Sequence, residues 1–223
     1  MKNIDNELFM SIQNNNKKIV FFVKKGLDNF LEDIITGFSD NYETKKIVVT
    51  DIKQIDDGME WADICWFEWC DELIAYGSKS NFAREKKIVC RIHSYEVFTE
   101  YPANVIWENV DKVIFVAEHI KNFMVDNFNV DKDKVVVVPN KPNGIHCKIW
   151  TFADRKPGFN IAYVGYINYK KGPMLLLHTF KAIYDRDNRY KLFIAGQFQD
   201  YRDVLYFNQM IRELSIENNV IYQ

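Results

Sequence analysis

The chain has 223 residues, of which 48% are hydrophobic and 27% charged, a balance typical of globular proteins and unlike that of disordered chains. Its 29 lysines and arginines nearly balance its 31 aspartates and glutamates, for a net charge of −2. Non-specific nucleic-acid binding depends on a concentrated positive field, so this charge argues against a nucleic-acid partner. At roughly 150 residues per domain, the length predicts one large domain or two modest ones.

Cysteine and histidine spacings indicate neither a disulfide framework nor a zinc site. The four cysteines, at positions 65, 70, 90 and 147, fit no such pattern, and the four histidines form no HExxH or HxH motif. We therefore expect reduced thiols, no structural metal and a cytoplasmic location. Residues 1–16 are polar, unlike a signal peptide, and the longest apolar runs are strand-sized, so we expect a soluble protein.

In the first 150 residues, short apolar runs alternate with helical patterns. Strands are predicted at residues 18–23, 46–50, 63–67, 87–92, 112–116 and 134–138. Helices are predicted over residues 27–38, 71–76 and 120–128, and the stretch between the second and third strands is interpreted as a polar connection. Strands that are apolar on both faces are typical of a covered parallel sheet. The pattern predicts a doubly wound, Rossmann-like α/β domain over residues 1–152.

Residues 139–158 are rich in proline and glycine, which is typical of a connector. Beyond them the alternation resumes, with strands predicted at 160–164, 191–195 and 220–222 and two amphipathic helices between them. Three strands and two helices are half of a doubly wound domain, and such a half leaves a sheet edge open. We therefore interpret residues 153–223 as the first half of a second Rossmann-like domain.

Ligands of open α/β sheets bind beyond the carboxyl ends of the strands, so residues at strand ends are the candidates for a site. Gly26 follows the first strand, where a glycine lets the backbone approach a ligand, although a plain turn is the favoured explanation. Arg91, His93 and Glu96 stand together at the end of the fourth strand. Charged groups resist burial, which favours a functional role, with a histidine held structurally by backbone carbonyls as the alternative.

The second half has two further strand-end candidates. Between the strand ending at Val164 and the next helix, Lys171 stands beside Gly172, and a helix N-terminus with an adjacent lysine is a ready anion site. Lys170 could equally be a solvated surface charge. Gly196 follows the strand at 191–195, which alone indicates only a tight turn.

In their order, these segments resemble the nucleotide-sugar-dependent glycosyltransferases of the GT-B fold, in the large retaining group called family four. That family's second domain opens with a strand, Gly-Arg, a short loop and Lys-Gly, to which residues 164–172 are similar, and residues 194–196 match its Ile-Ala-Gly. Residues 91–93 are similar to the segment that bears the histidine near the reacting sugar, and residues 113–119 to a valine-rich strand before Ser-Glu. Residues 142–150 look like its Pro-Asn-Gly stretch, with His146 where aspartate is usual.

Two departures from the family bear on the donor site. Tyr166 replaces the arginine that, with the lysine, neutralises the donor's diphosphate, and losing one charge-assisted contact costs about 1.5–3 kcal/mol. The family's later Glu-x7-Glu segment, which contacts the donor, has no counterpart before Gln223. The resemblance therefore implies an incomplete donor domain.

The resemblance implies transfer of a sugar from a UDP- or GDP-linked donor to an acceptor hydroxyl, with retained configuration and no metal. It implies glycan or glycolipid acceptors, polysaccharide biosynthesis, and peripheral contact with the inner face of a membrane as an option. The residues it implies are catalytic His93 and Glu96; donor-binding Gly165, Tyr166, Lys171, Gly172 and Gly196; and acceptor-side Gly26 and Arg91.

A non-catalytic sugar-nucleotide-binding module, or a half-enzyme completed by a partner, is the alternative from another class. The missing half-domain and Tyr166 both favour it. A doubly wound hydrolase or dehydrogenase is disfavoured, because the chain has neither a GxSxG motif nor a GxGxxG motif after the first strand.

Overall fold

A computed structural model of the chain describes residues 17–28, 31–140 and 158–222. These residues belong to two compact units, Met1–Cys147 and Lys148–Gln223. The predicted domain boundary after residue 152 and the Pro-Asn-Gly stretch at 142–150 lie outside the described residues.

The first unit is built on a six-stranded parallel sheet. Its strands are β1 (Lys18–Val23), β2 (Glu43–Val48), β3 (Ile64–Glu68), β4 (Lys87–Ile92), β5 (Lys112–Phe115) and β6 (Val135–Val137). They lie in the order β2-β1-β3-β4-β5-β6, with each neighbouring pair parallel. The helices are α1 (Glu32–Ser39), α2 (Lys53–Trp61), α3 (Glu72–Gly77), α4 (Tyr101–Asn104) and α5 (Glu118–Phe128), with 3-10 turns at Tyr95–Phe98, Trp107–Asn109 and Lys132–Lys134.

Both faces of this sheet carry a hydrophobic core, which is why its central strands are mostly apolar on both faces. On one face Val20 and Phe22 of β1 join the larger cluster, and on the other Phe21 packs with Trp66 and Leu31. The burial of Phe21 and Phe22 is complete. Apolar area removed from water on both sides, at about 25 cal/mol per Å², stabilises the sheet and fixes the register of β1.

Three of the sequence predictions for this unit are wrong. The first helix, predicted over residues 27–38, begins at Glu32. The strand predicted at 46–50 is β2 at Glu43–Val48, because β2 is the edge strand and its alternating exposed residues hide its true start. The stretch interpreted as a polar connection contains α2, whose few buried positions, Ile55, Gly58 and Met59, face the sheet. Gly58 packs on the Phe22 ring so closely that a Cβ there would lie 2.7 Å from it.

The second unit has a three-stranded parallel sheet with two helices. Its elements are β7 (Asn160–Val164), α6 (Pro173–Tyr184), β8 (Lys191–Ala195), α7 (Tyr201–Glu213) and β9 (Val220–Tyr222), and the strand order is β7-β8-β9. Its core includes Leu177, Phe180, Leu192, Ile194 and Phe207. The strand–helix order and the parallel pairing confirm the predicted half of a Rossmann-like domain.

Within the described ranges, no helix is long and apolar enough to cross a bilayer. The three cysteines in this part of the chain, Cys65, Cys70 and Cys90, are buried and not joined in disulfides.

Candidate functional site

The strand order of the first sheet reverses at β1, because the chain leaves β1 outward to β2 and then returns to β3 on the other side. A crevice for ligands forms outside the carboxyl ends of the strands at such a switch point. The polar and aromatic side chains around this edge come from the ends of β1, β3 and β4. They are Lys24, Glu68, Trp69, Asp71, Glu72, Arg91, His93, Tyr95 and Glu96.

A buried ion cluster centres on Glu68, the last residue of β3. Glu68 has no exposed surface and stands opposite Arg91 in the β3–β4 register. Its Oε1 accepts a hydrogen bond from Arg91 Nη1 at 2.6 Å and lies 2.7 Å from His93 Nε2, while its Oε2 accepts from Trp66 Nε1 at 2.9 Å. Arg91 Nη2 donates to Asn140 Oδ1 at 2.5 Å. Because both charges of the pair are buried and hydrogen-bonded, removing either one is expected to cost much more than a surface ion pair does.

His93 is held on two sides. Because a carboxylate can only accept, the short contact to Glu68 places a hydrogen on His93 Nε2. The ring also stacks on Trp69, with centroids 3.9 Å apart and planes 21° apart. Trp69 has φ +81°, a conformation rare outside glycine, and its indole Nε1 donates to the carbonyl of Leu27 at 3.2 Å. These contacts fix the imidazole at the sheet edge.

Glu96 is engaged with the backbone of its own loop. It is buried, and its two carboxylate oxygens accept from the backbone N–H of His93 at 2.5 Å and of Ser94 at 2.8 Å. This geometry makes Glu96 a residue that shapes the His93 loop. Its predicted catalytic role stays a prediction.

A second charged group joins the ends of β1 and β3. Lys24 Nζ lies 3.4 Å from Asp71 Oδ2 and makes a closer ion pair with Glu72. Asp71 is the N-cap of α3, and its Oδ1 accepts from the backbone N–H of Leu73 at 2.9 Å. Its Oδ2 is buried and has no hydrogen-bond partner within the described residues. Burial raises the pKa of Asp71 to about 6, because the Leu73 N–H and the shared lysine only partly offset the cost of desolvating the charge.

Aromatic side chains border this charged group. Tyr95 is 47% exposed, and its ring centroid lies 5.7 Å from that of Trp69. Burial, followed by the charges of Glu96 and Asp71, raises the pKa of Tyr95. Lys24 Nζ lies 5.6 Å from the ring centroid of Tyr101. The edge therefore presents a partly exposed aromatic ring beside buried carboxylates.

Gly26 lies on the loop after β1 with φ +82°, and nothing lies within 4 Å of where its Cβ would be. The positive φ favours glycine for the turn, whereas the open space gives no sign of a tight approach. Its predicted acceptor-side role stays a prediction.

In the second unit, the loops after β7 and β8 are locked together at two glycines. A Cβ on Gly196 would lie 1.9 Å from the carbonyl oxygen of Gly165, which itself has φ +142°. Gly165 N–H donates to the carbonyl of Ala195 at 3.0 Å, and Ile167 N–H to that of Gln197 at 2.8 Å. Gly196 is thus required for close backbone packing, and not only for the tight turn that the sequence indicates.

The locked loop leads to the start of α6. Asn168 caps a 3-10 turn at Tyr169–Lys171 by accepting from the Lys171 N–H at 3.2 Å. Gly172 then adopts the left-handed conformation, with φ +65°, and α6 begins at Pro173. The Lys171 side chain is exposed beside this helix N-terminus, and Tyr166 is 60% exposed. The structure thus places all five predicted donor residues on two adjoining strand-end loops.

A cavity of about 480 Å³ lies between these loops and the start of α7. Asn168, Lys170, Gln199 and Arg202 are among its lining residues. Asn168 Nδ2 donates to Gln199 Oε1 at 2.6 Å, and Arg202 pairs with Asp200. The sequence analysis did not identify Arg202, since only the fold brings the start of α7 beside the loop after β7.

No family model and no curated protein matches the chain. Solved structures do. Anabaena HepE, determined in complex with UDP and glucose, is similar over 92% of this chain and 68% of HepE, with 14% identity and a TM-score of 0.65. The chain has the GT-B fold.

Other GT-B structures agree. A mutant of S. aureus TarM in complex with fondaparinux, α-GlcNAc-glycerol and UDP has 15% identity and a TM-score of 0.51, over 72% of this chain and 32% of TarM. The UDP-N-acetylglucosamine 2-epimerase from Rickettsia bellii has 10% identity and a TM-score of 0.58, over 94% of this chain and 69% of the epimerase. The chain thus spans about two thirds of HepE and of the epimerase and about one third of TarM. At these identities the likeness establishes the fold.

Within the described ranges, no group of His, Cys, Asp and Glu side chains is arranged to hold a metal ion.

Proposed function

We propose that this chain is the part of a retaining glycosyltransferase that transfers a sugar from a nucleotide diphosphate sugar to an acceptor hydroxyl, in glycan or glycolipid assembly. The observation that carries the proposal is the locked pair of loops after β7 and β8, which leads to Lys171 and the N-terminus of α6 within a GT-B fold. The UDP and glucose complex of HepE supports a nucleotide-sugar as the ligand class.

The departing nucleotide diphosphate is the group that needs charge stabilisation in this reaction. In the proposal Lys171 supplies one positive charge, and the N-terminus of α6, which begins at Pro173, adds the positive end of the helix dipole. Both lie at the carboxyl edge of the second sheet, where ligands of such sheets bind. In the proposal these two groups, and not a metal, stabilise the charge of the leaving group.

In the first unit, the proposed role of His93 is to orient or polarise a hydroxyl group of the acceptor or sugar. Glu68 fixes the ring, and Arg91 balances the charge of Glu68. Glu96 holds the backbone of the loop that carries His93. In this proposal Glu68, Arg91 and Glu96 are positioning residues.

A non-catalytic sugar-nucleotide-binding module is the second candidate, and Tyr166 favours it. In this position the tyrosine provides no positive charge, so the second cation that the family pairs with the lysine is missing there. Such a module binds a nucleotide-sugar without turning it over.

Isothermal titration of the chain with UDP and GDP tests the shared part of both candidates. We expect Lys171→Ala to weaken binding roughly 10- to 100-fold, the equivalent of one charge-assisted hydrogen bond. Lys191→Ala is the matched control, since Lys191 is exposed at the opposite, amino end of β8 and should leave affinity unchanged. Tyr166→Arg should tighten binding by restoring the second cation. Equal affinity of the wild type and Lys171→Ala would contradict the donor-site assignment.

Incubation with UDP-glucose and UDP-N-acetylglucosamine, followed by ¹H and ³¹P NMR, separates the two candidates. Transfer to an added glycoside or release of UDP supports the glycosyltransferase. Binding with neither reaction supports the non-catalytic module, and a change of sugar configuration on intact UDP-sugar would replace both with an epimerase.

A further inference from the structure

The charge of Asp71 is not explained by its structural role. The N-cap of α3 needs only an oxygen to accept the Leu73 N–H, and asparagine is as good an N-cap as aspartate. The second oxygen, Oδ2, is buried and has no hydrogen bond within the described residues, only the 3.4 Å ion-pair contact with Lys24, although buried polar atoms without a hydrogen bond are rare and costly. A retained charge of this kind marks a candidate functional group.

The second carboxylate oxygen of Asp71 faces the end of β1, the neighbouring strand at the switch point. Because Oδ1 is fixed on α3, Oδ2 is turned toward Lys24 at the end of β1, 3.4 Å away. Lys24 is drawn more closely to Glu72, and its side chain is 30% exposed. Oδ2 has almost no surface of its own, so a ligand that contacts it would have to displace the Lys24 ammonium, which also pairs with Glu72.

We propose that Asp71 Oδ2 accepts a hydrogen bond from a hydroxyl group of an uncharged sugar, whose ring packs against the exposed face of Tyr95. The inference rests on the proposed function and names its acceptor class. A sugar hydroxyl is a donor that a buried carboxylate can use, and a half-exposed aromatic ring beside it offers the apolar surface that a sugar face needs.

The charges around Asp71 favour an uncharged sugar as the ligand. Lys24 contacts two carboxylates, Asp71 and Glu72, and the buried Glu96 lies on the neighbouring loop. The pair of Glu68 and Arg91 balances itself. A phosphate or uronate on the ligand would face an excess of negative charge, which disfavours its binding.

Saturation-transfer NMR and titration of the full chain with methyl α-glucoside, α-galactoside and α-mannoside test this site. We expect at least one to bind, Asp71→Asn to weaken it roughly 10-fold or more, and Tyr95→Ala to weaken it roughly 2- to 10-fold. Asp57→Asn, at an exposed position of α2, is the control and should change nothing. Glucose 6-phosphate and methyl glucuronide should bind less well than the neutral glucoside.

UDP titration of the same samples separates this inference from the proposed function. UDP binding that is unaffected by Asp71→Asn, together with a loss of glycoside binding, supports both. UDP binding with no glycoside bound, or with glycoside affinity unchanged in Asp71→Asn, overturns the Asp71 site alone. Preference for the phosphorylated sugar overturns its assigned class. Asp71-dependent glycoside binding without any nucleotide binding supports the sugar site and overturns the transferase proposal.

Discussion

Replacing Asp71 by asparagine should stabilise the first unit at neutral pH while it weakens the proposed sugar site. Asparagine keeps an oxygen for the Leu73 N–H and removes the buried charge. The pKa of Asp71 is raised from 3.8 to about 6 by burial. At about 1.4 kcal/mol per pKa unit, the charged form costs roughly 3 kcal/mol of folding free energy. The side chain is only 8% exposed, so solvent screening reduces this little.

The direction in which stability changes with pH follows from the difference in proton binding between the folded and unfolded chain. The folded chain holds this proton more tightly than the unfolded chain, so folding stability from Asp71 falls as the pH rises from about 4 to about 6, and the cost is complete above that range. Asparagine has no such proton. The gain from Asp71→Asn should therefore be near zero at pH 4 and approach about 3 kcal/mol at pH 7.5.

Urea unfolding at several pH values between 4 and 7.5, followed by tryptophan fluorescence, measures the effect. Four of the five tryptophans, at positions 61, 66, 69 and 107, belong to the first unit, so the signal reports mainly on that unit. Asp57→Asn controls for the loss of an exposed carboxylate. Equal or lower stability of Asp71→Asn at pH 7.5, or a gain that does not shrink toward pH 4, would show that the buried charge of Asp71 does not lower stability.

Three further changes probe other parts of the structure. Glu68→Gln should cost about 3–5 kcal/mol in urea unfolding because it leaves a buried guanidinium without its counter-charge, whereas Glu72→Gln, at an exposed carboxylate, should cost under about 1 kcal/mol. Gly196→Ala should speed hydrogen exchange in β7 and β8 because its Cβ meets a backbone carbonyl at 1.9 Å, and Gly158→Ala, in open space, should not. Tyr166→Arg should raise UDP affinity without raising glycoside affinity; equal gains for both ligands would contradict separate sites.

The strands that the sequence predicts best are those buried on both faces. The bounds of β1 and β4 coincide with the predicted ones because most positions of a covered parallel strand are apolar, so the strand stands out from the polar residues around it. The edge strand β2 and the half-exposed helix α2 mix polar and apolar residues. The predicted bounds of β2 are displaced, and α2 is not predicted. Periodicity thus predicts the centre of the sheet better than its margin.

Candidate residues follow a similar division. Arg91 and His93 were found because charged groups after an apolar strand are unusual, and the structure brings them together around Glu68. Glu68 itself was missed, since it directly continues an apolar run and its partners are 23 and 25 residues away along the chain. Only the β3–β4 register reveals it, because parallel pairing sets Glu68 opposite Arg91.

The buried carboxylates at this edge differ in how completely they are hydrogen-bonded. Every carboxylate oxygen of Glu68 and Glu96 has a partner, and those partners are side chains or backbone of the same edge, so their burial is compensated. Asp71 is compensated at one oxygen only, and the lysine that faces the other is shared with Glu72. A fold that satisfies its other buried carboxylates and leaves this one incomplete carries a cost that a ligand can relieve. A sugar hydroxyl that donates to Oδ2 would supply the hydrogen bond that the unliganded chain lacks.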